Sequence, residues 1–173
     1  MIGGIMKNIL SLLTVLLVLA LIQPSISFSQ EIEIKGLRLG MTMAEVESKV
    51  GKLPLKNFTI AGVKGKYEDS NPVIIKFYEG KLDVFVFFFD ANHFDDVLEA
   101  VKTKYPSLEC AKSNVSNAMG ASFDQVKCNL HDQSGSLSLS RFVSDIKTSA
   151  LSLMSDRAIK ETKDKQKEKR KDL

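Results

Sequence analysis

Apolar residues follow three regimes along this chain: one unbroken run near the N-terminus, a middle in which helical and strand spacings alternate, and a charged end with almost none. The first run extends from Ile9 to Ile22 and is interrupted only by Ser11 and Thr14. Lys7 precedes it, Gln23 and Pro24 break it, and small residues follow at Ser25, Ser27 and Ser29. Charge, apolar stretch, breaker and small residues in that order read as a secretory signal peptide cleaved after Ser29, with cleavage after Ser27 as the near alternative. The rival is an uncleaved anchor, but a core of about 14 residues falls short of the roughly 20 that span a bilayer as a helix. The expected division is a signal peptide over 1–29, one domain over 30–156 and a tail over 157–173.

In the middle regime, Gly40 to Gly51 reads as a short helix. Thr42 and Glu45 form a capping box, Met43, Val46 and Val50 make an apolar stripe, and Gly51 supplies the left-handed stop. Strands are expected over 57–61, 63–67, 73–78 and 82–89, the last two joined across Glu79 and Gly80. Asn92 is expected to cap a second helix from His93 to about Tyr105. Its Phe94, Val97, Leu98, Val101 and Tyr105 fall at helical spacing, and Pro106 stops it. Shorter strands follow over 108–111, 121–130, 137–143 and 150–154. The order helix, strands, helix, strands predicts an α+β fold, an antiparallel sheet with two helices on one face, in a layout suggesting a tandem α–β repeat.

Within that sheet, Val84 to Phe89 is apolar on both faces. Phe85, Phe87 and Phe89 point one way, and Val84, Val86 and Phe88 the other. Such a strand needs cover on both sides, which places it centrally with a helix on one face. The cover is either the fold's own packing or a ligand, so Phe85, Phe87 and Phe89 are a candidate wall for an apolar ligand.

Charge alters the picture only at the end of the chain. The net charge is +3, yet residues 157–173 hold eight basic and four acidic side chains. The body is therefore slightly acidic, and the pI of 8.8 belongs to the tail. A basic nucleic-acid-binding face on the body is not indicated. With Ala158, Ile159 and Leu173 as its only apolar residues, the tail is expected to be solvated and disordered, helical at most transiently, with an anionic surface as its candidate contact. Two cysteines, Cys110 and Cys128, are expected to form one disulfide in an oxidising compartment.

The stretch Gly36-Leu37-Arg38-Leu39-Gly40-Met41-Thr42-Met43-Ala44-Glu45-Val46, closing at Val50-Gly51 with Pro54 beyond, resembles the opening motif of the SmpA/OmlA family of bacterial envelope proteins. It is also similar to the related fold of the β-lactamase inhibitory proteins. The resemblance covers about 19 of 173 residues. It implies a small non-enzymatic binding or assembly module in a bacterial envelope. SmpA/OmlA proteins are lipoproteins with one α–β unit, whereas this chain lacks the lipid-accepting cysteine and carries two units.

Candidate chemistry is sparse. His93 with Asp95 and Asp96 is the most reactive-looking cluster, but carboxylates in a first helical turn already suit the helix dipole. His131 falls in a turn. No serine sits in a G-x-S-x-G elbow and no phosphate-cradling glycine loop is present. No catalytic residue, metal ligand or cofactor site is assigned. The expectation is a soluble exported module, periplasmic or secreted, that binds a protein or envelope component. A carrier or sensor of an apolar ligand is the alternative, and a hydrolase assembled only in three dimensions is a third reading.

Overall fold

The computed structural model describes residues 31–171 apart from 56, 67–71, 117–119 and 144. The expected signal peptide lies outside the described residues. Three α-helices and eight strands follow: α1 (Met43–Val50), β1 (Thr59–Ile60), β2 (Val63–Lys64), β3 (Val73–Tyr78), β4 (Lys81–Asp90), α2 (Phe94–Lys104), β5 (Glu109–Ser116), β6 (Ser122–His131), β7 (Ser136–Ser140), β8 (Thr148–Met154) and α3 (Asp156–Lys171). β1 and β2 form a small ribbon. The other six make one antiparallel sheet in the order β3-β4-β8-β7-β6-β5. The α+β class and antiparallel sheet are as the pattern predicts. The two halves contribute unequally, two strands of the main sheet before α2 and four after it.

Local chemistry explains the element ends. At α1, Thr42 Oγ1 accepts a hydrogen bond from Glu45 N (3.3 Å), and Glu45 Oε2 accepts one from Thr42 N (2.7 Å). Only Val46 of the expected stripe is fully buried; Met43 is 52% exposed. Gly51 has φ +91° and ψ 176°, an extended glycine conformation in place of the expected left-handed stop. The cap of the second helix is also corrected. Asp90, not Asn92, supplies the side chain: it accepts from Asn92 N (2.9 Å) and opens a short 3-10 turn over Ala91–His93, from which α2 continues. The hairpin between β3 and β4 turns through Glu79 and Gly80, both at positive φ, which matches the right-handed twist of the flanking strands.

β4 lies between β3 and β8, the interior position that its two apolar faces require. Phe85, Phe87 and Phe89 are completely buried on the inner face. They share one core with Leu137, Leu139, Leu151 and Leu153 from the sheet, Phe94, Val97 and Val101 from α2, and Val46 from α1. Full burial of each such side chain contributes about 1.5–3 kcal/mol. Phe58 meets the edges of Phe85 and Phe87 at 5.6 and 5.7 Å, and Phe87 stacks on Phe89. Gly65 lies so close above Phe87 that a Cβ there would come within 2.7 Å of the ring. The segment before α1 closes this layer: Ile32, Ile34, Leu37 and Met41 are buried, Ile32 N donates to Asp132 (3.1 Å), and Tyr105 Oη donates to Glu33 O (2.9 Å).

Cys110 and Cys128 face each other across β5 and β6 and are bonded as a disulfide. Cys128 is buried and Cys110 is on the exposed edge strand. The two lie 18 residues apart. Closing a loop of that length removes about 3 kcal/mol of chain entropy from the unfolded state. Thiol titration of the unreduced, denatured protein should therefore find no free thiol, and Cys110→Ser with Cys128→Ser should lower stability by about 3 kcal/mol in a urea melt. Two free thiols, or an unchanged melt, would contradict the bridge.

Candidate functional site

The sheet face opposite the core carries the most accessible chemistry. Alternation along β4 turns Val84, Val86 and Phe88 outward, and the register sets them beside Met154, Ser152 and Ala150 of β8. Ser152 in turn pairs with Ser138 of β7, so the apolar strip gives way to a row of hydroxyls at Ser136, Ser138 and Ser140. Ile74, Val86, Phe88 and Met154 are only half-buried.

At one end of this face, a charged cluster holds α3. The β3–β4 register shifts between Lys76 and Phe77, a bulge that leaves Asp83 beside Val84 at the sheet surface. Asp83 is 5% exposed. Its carboxylate accepts from Ser155 Oγ and from both Nε (3.2 Å) and Nη2 of Arg157, and its carbonyl accepts from Ser155 N (3.0 Å). Ser155 also caps α3, its Oγ accepting from Ala158 N (3.1 Å). The Arg157 guanidinium lies 3.9 Å over the Tyr78 ring. Glu161 accepts from Arg157 (2.8 Å) and Lys165 (2.6 Å), which hold its carboxyl below the usual range, Lys165 the more strongly.

These contacts correct the expectation of a disordered tail. Composition leaves the segment little to bury, yet the chain continues as a helix over Asp156–Lys171, with a cap, a carboxylate clamp and the i,i+4 pairs of Glu161 with Arg157 and Lys165 near its start. Ala158 is buried at its base.

Between α3 and the outer sheet face lies an open cleft of about 750 Å³. Ile74, Lys76, Val84, Val86 and Met154 form its floor, and Arg157, Thr162 and Lys165 form part of its helical wall. A smaller, mainly apolar recess of about 180 Å³ opens beside α2, where Ile34, Val101 and Tyr105 meet Leu137 and Leu151.

The sequence-derived candidates distribute unevenly over these features. Cys110 and Cys128 come together. Phe85, Phe87 and Phe89 are sealed in the core, where they touch one another and Phe58; they line neither cleft. The expectation of an apolar ligand wall at these three rings is thus corrected: they pack within the fold. His93 Nδ1 meets Asp96 (3.1 Å) on the exposed first turn of α2. His131 Nδ1 meets Ser136 Oγ (2.8 Å) and lies 3.8 Å from Asp156. Both partners of His131 address the same ring nitrogen, whereas a nucleophile–base–acid relay needs one on each side. No three His, Cys, Asp or Glu side chains gather in a metal-binding group among the described residues.

The clamp went unread in the sequence because its partners are 74 residues apart. Its one local signal is Asp83, an isolated acid at the start of an otherwise apolar strand.

Set against protein-family models, curated proteins and solved structures, the chain has no match.

The clamp makes a quantitative expectation. Removing one partner of a fully buried pair costs about 3–5 kcal/mol. Arg157 keeps 39% of its side chain exposed, so Arg157→Ala should cost less than that. Hydrogen exchange should then show lost protection across α3 while β4 remains protected. Unchanged exchange in α3 would mean that the clamp does not hold the helix.

Proposed function

We propose that this protein is an exported, non-catalytic module that binds a protein or cell-envelope component through the outer face of its sheet. The observation that carries this reading is the half-buried strip of Ile74, Val86, Phe88 and Met154 beside the cleft under α3. An apolar strip flanked by hydroxyls and cations is a common composition for a surface that receives a partner. The Cys110–Cys128 disulfide supports an oxidising compartment, in keeping with the export segment read over 1–29. No helix among the described residues is long and apolar enough to cross a membrane. The resemblance of Gly36 to Gly51 to the SmpA/OmlA opening motif points the same way, toward an envelope module.

A second reading, a carrier or sensor of a small apolar ligand, draws on the recess beside Tyr105. Its volume of about 180 Å³ is of the order that admits a benzene-sized molecule.

The first reading is tested with a photo-crosslinking amino acid placed in turn at Val86, Ser138 and Ala44 in the producing cell. Adducts to one discrete partner at Val86 and Ser138, and none at the α1 position, are expected. Adducts at Ala44 alone, or at no position, would contradict it.

A further inference from the structure

One strand of the main sheet buries almost nothing. β5 lies at the edge opposite β3, and all of its side chains are exposed except Val115, which is half-buried. No β5 residue belongs to the core, so hydrophobic burial does not hold the strand in place. Two things do: its ladder with β6, unbroken from Glu109↔Asn129 to Ser116↔Ser122, and the Cys110–Cys128 bridge across that ladder. Native edge strands are commonly guarded by bulges, prolines or charges. β3 follows that rule, with Pro72 before it and a bulge between Lys76 and Phe77. β5 has neither proline nor bulge, and Glu109 and Lys112 are its only charges.

The ladder fixes which backbone groups the free edge displays. Arg141 N donates to Val126 O (2.9 Å), so Val126, and by alternation Cys128, turn their backbone groups toward β7. Lys127 and Asn129 therefore bond β5, through their partners Ala111 and Glu109. The N–H and C=O groups of the alternate residues, Cys110, Lys112, Asn114 and Ser116, point away from the sheet. No described residue bonds them.

We propose that β5 pairs antiparallel with β5 of a second copy of this chain, about a two-fold axis at Ser113. Outward backbone groups must meet outward groups, so Cys110, Lys112, Asn114 and Ser116 can oppose only one another. An axis at Lys112 would set two ammonium groups face to face, which is destabilising. An axis at Asn114 would shorten the ladder and leave Cys110 beyond it. Centred on Ser113, the pairing sets Cys110 against Ser116, Ala111 against Val115 and Lys112 against Asn114, and no like charges meet. One patch then serves both partners, as a two-fold interface requires. Two eight-residue strands make a small contact, so the dimer is expected at protein concentrations on the order of 10–100 μM. The site is the edge of the sheet and does not depend on the binding function proposed for its outer face.

The protein as the cell produces it, with its disulfide intact, is followed by sedimentation velocity across about 5–500 μM. A monomer–dimer equilibrium is expected. Asn114→Glu sets a carboxylate against the partner copy's ammonium at two symmetric positions and should tighten the dimer about fivefold. Asn114→Lys sets like charges there and should weaken it by a similar factor, and adding Lys112→Glu to that variant should recover it. Lys112→Pro removes an outward N–H that β6 does not use, and should abolish the dimer while β6 amides stay protected in hydrogen exchange. The Asn114 series leaves the backbone unchanged and decides the case even where the proline variant loosens β5. A monomer at every concentration, or a dimer whose affinity the Asn114 substitutions do not move, overturns the proposal. The first of these results would leave the edge for an extended segment of a different protein.

Discussion

The structure depends on a strand that cannot be left half-covered. β4 presents three phenylalanines to one side and Val84, Val86 and Phe88 to the other. Leaving either face in water would forfeit the burial of several large side chains, each contributing about 1.5–3 kcal/mol. The inner face dictates the arrangement around it. α2 is amphipathic with its stripe toward Phe89, Phe58 reaches over Phe85 and Phe87, and the N-terminal segment threads beneath Tyr105 to complete the layer. Gly65 owes its lack of a side chain to the same ring.

The outer face is handled differently. There the described residues supply no full layer of helices, only the base of α3, and that base is secured with charge. A carboxylate within a sheet surface loses its hydration, and it is tolerated only with strong donors on both oxygens. Ser155 and Arg157 provide them, and the requirement of Asp83 thus positions the helix. One end of the face is roofed, the remainder is half-open, and the cleft lies at the junction. The binding function we propose rests on that asymmetry rather than on any constellation of reactive groups. The histidines fit this view, since each contacts its carboxylate or hydroxyl partners on the surface through a single ring nitrogen.

Much of the fold was legible in the sequence wherever local rules operate. Thr42 and Glu45, the Glu79-Gly80 turn, the stripe of α2 and the alternation of β4 all act within a few residues, and all stand where their spacing indicates. The disulfide was legible because two cysteines permit one pairing. What escaped was non-local or decided by small differences. Asp90 displaced Asn92 as a cap because the strand carries on to Asp90 before turning. The charged tail forms a helix through Asp83, which lies far away in sequence. The phenylalanines looked like a ligand wall because alternation distinguishes two faces without saying which one the helices cover.

The central claim is that the two faces of β4 serve different ends, one as core and the other as contact surface. The most direct measurement compares Phe87→Ala with Phe88→Ala in equilibrium urea unfolding. Phe87 is completely buried, and its truncation should cost about 3–5 kcal/mol. Phe88 is half-exposed on the outer face, and its loss should cost less than about half of that. Equal, large losses at both positions would show that the outer face is packed as core, and the account of an open binding surface would fail.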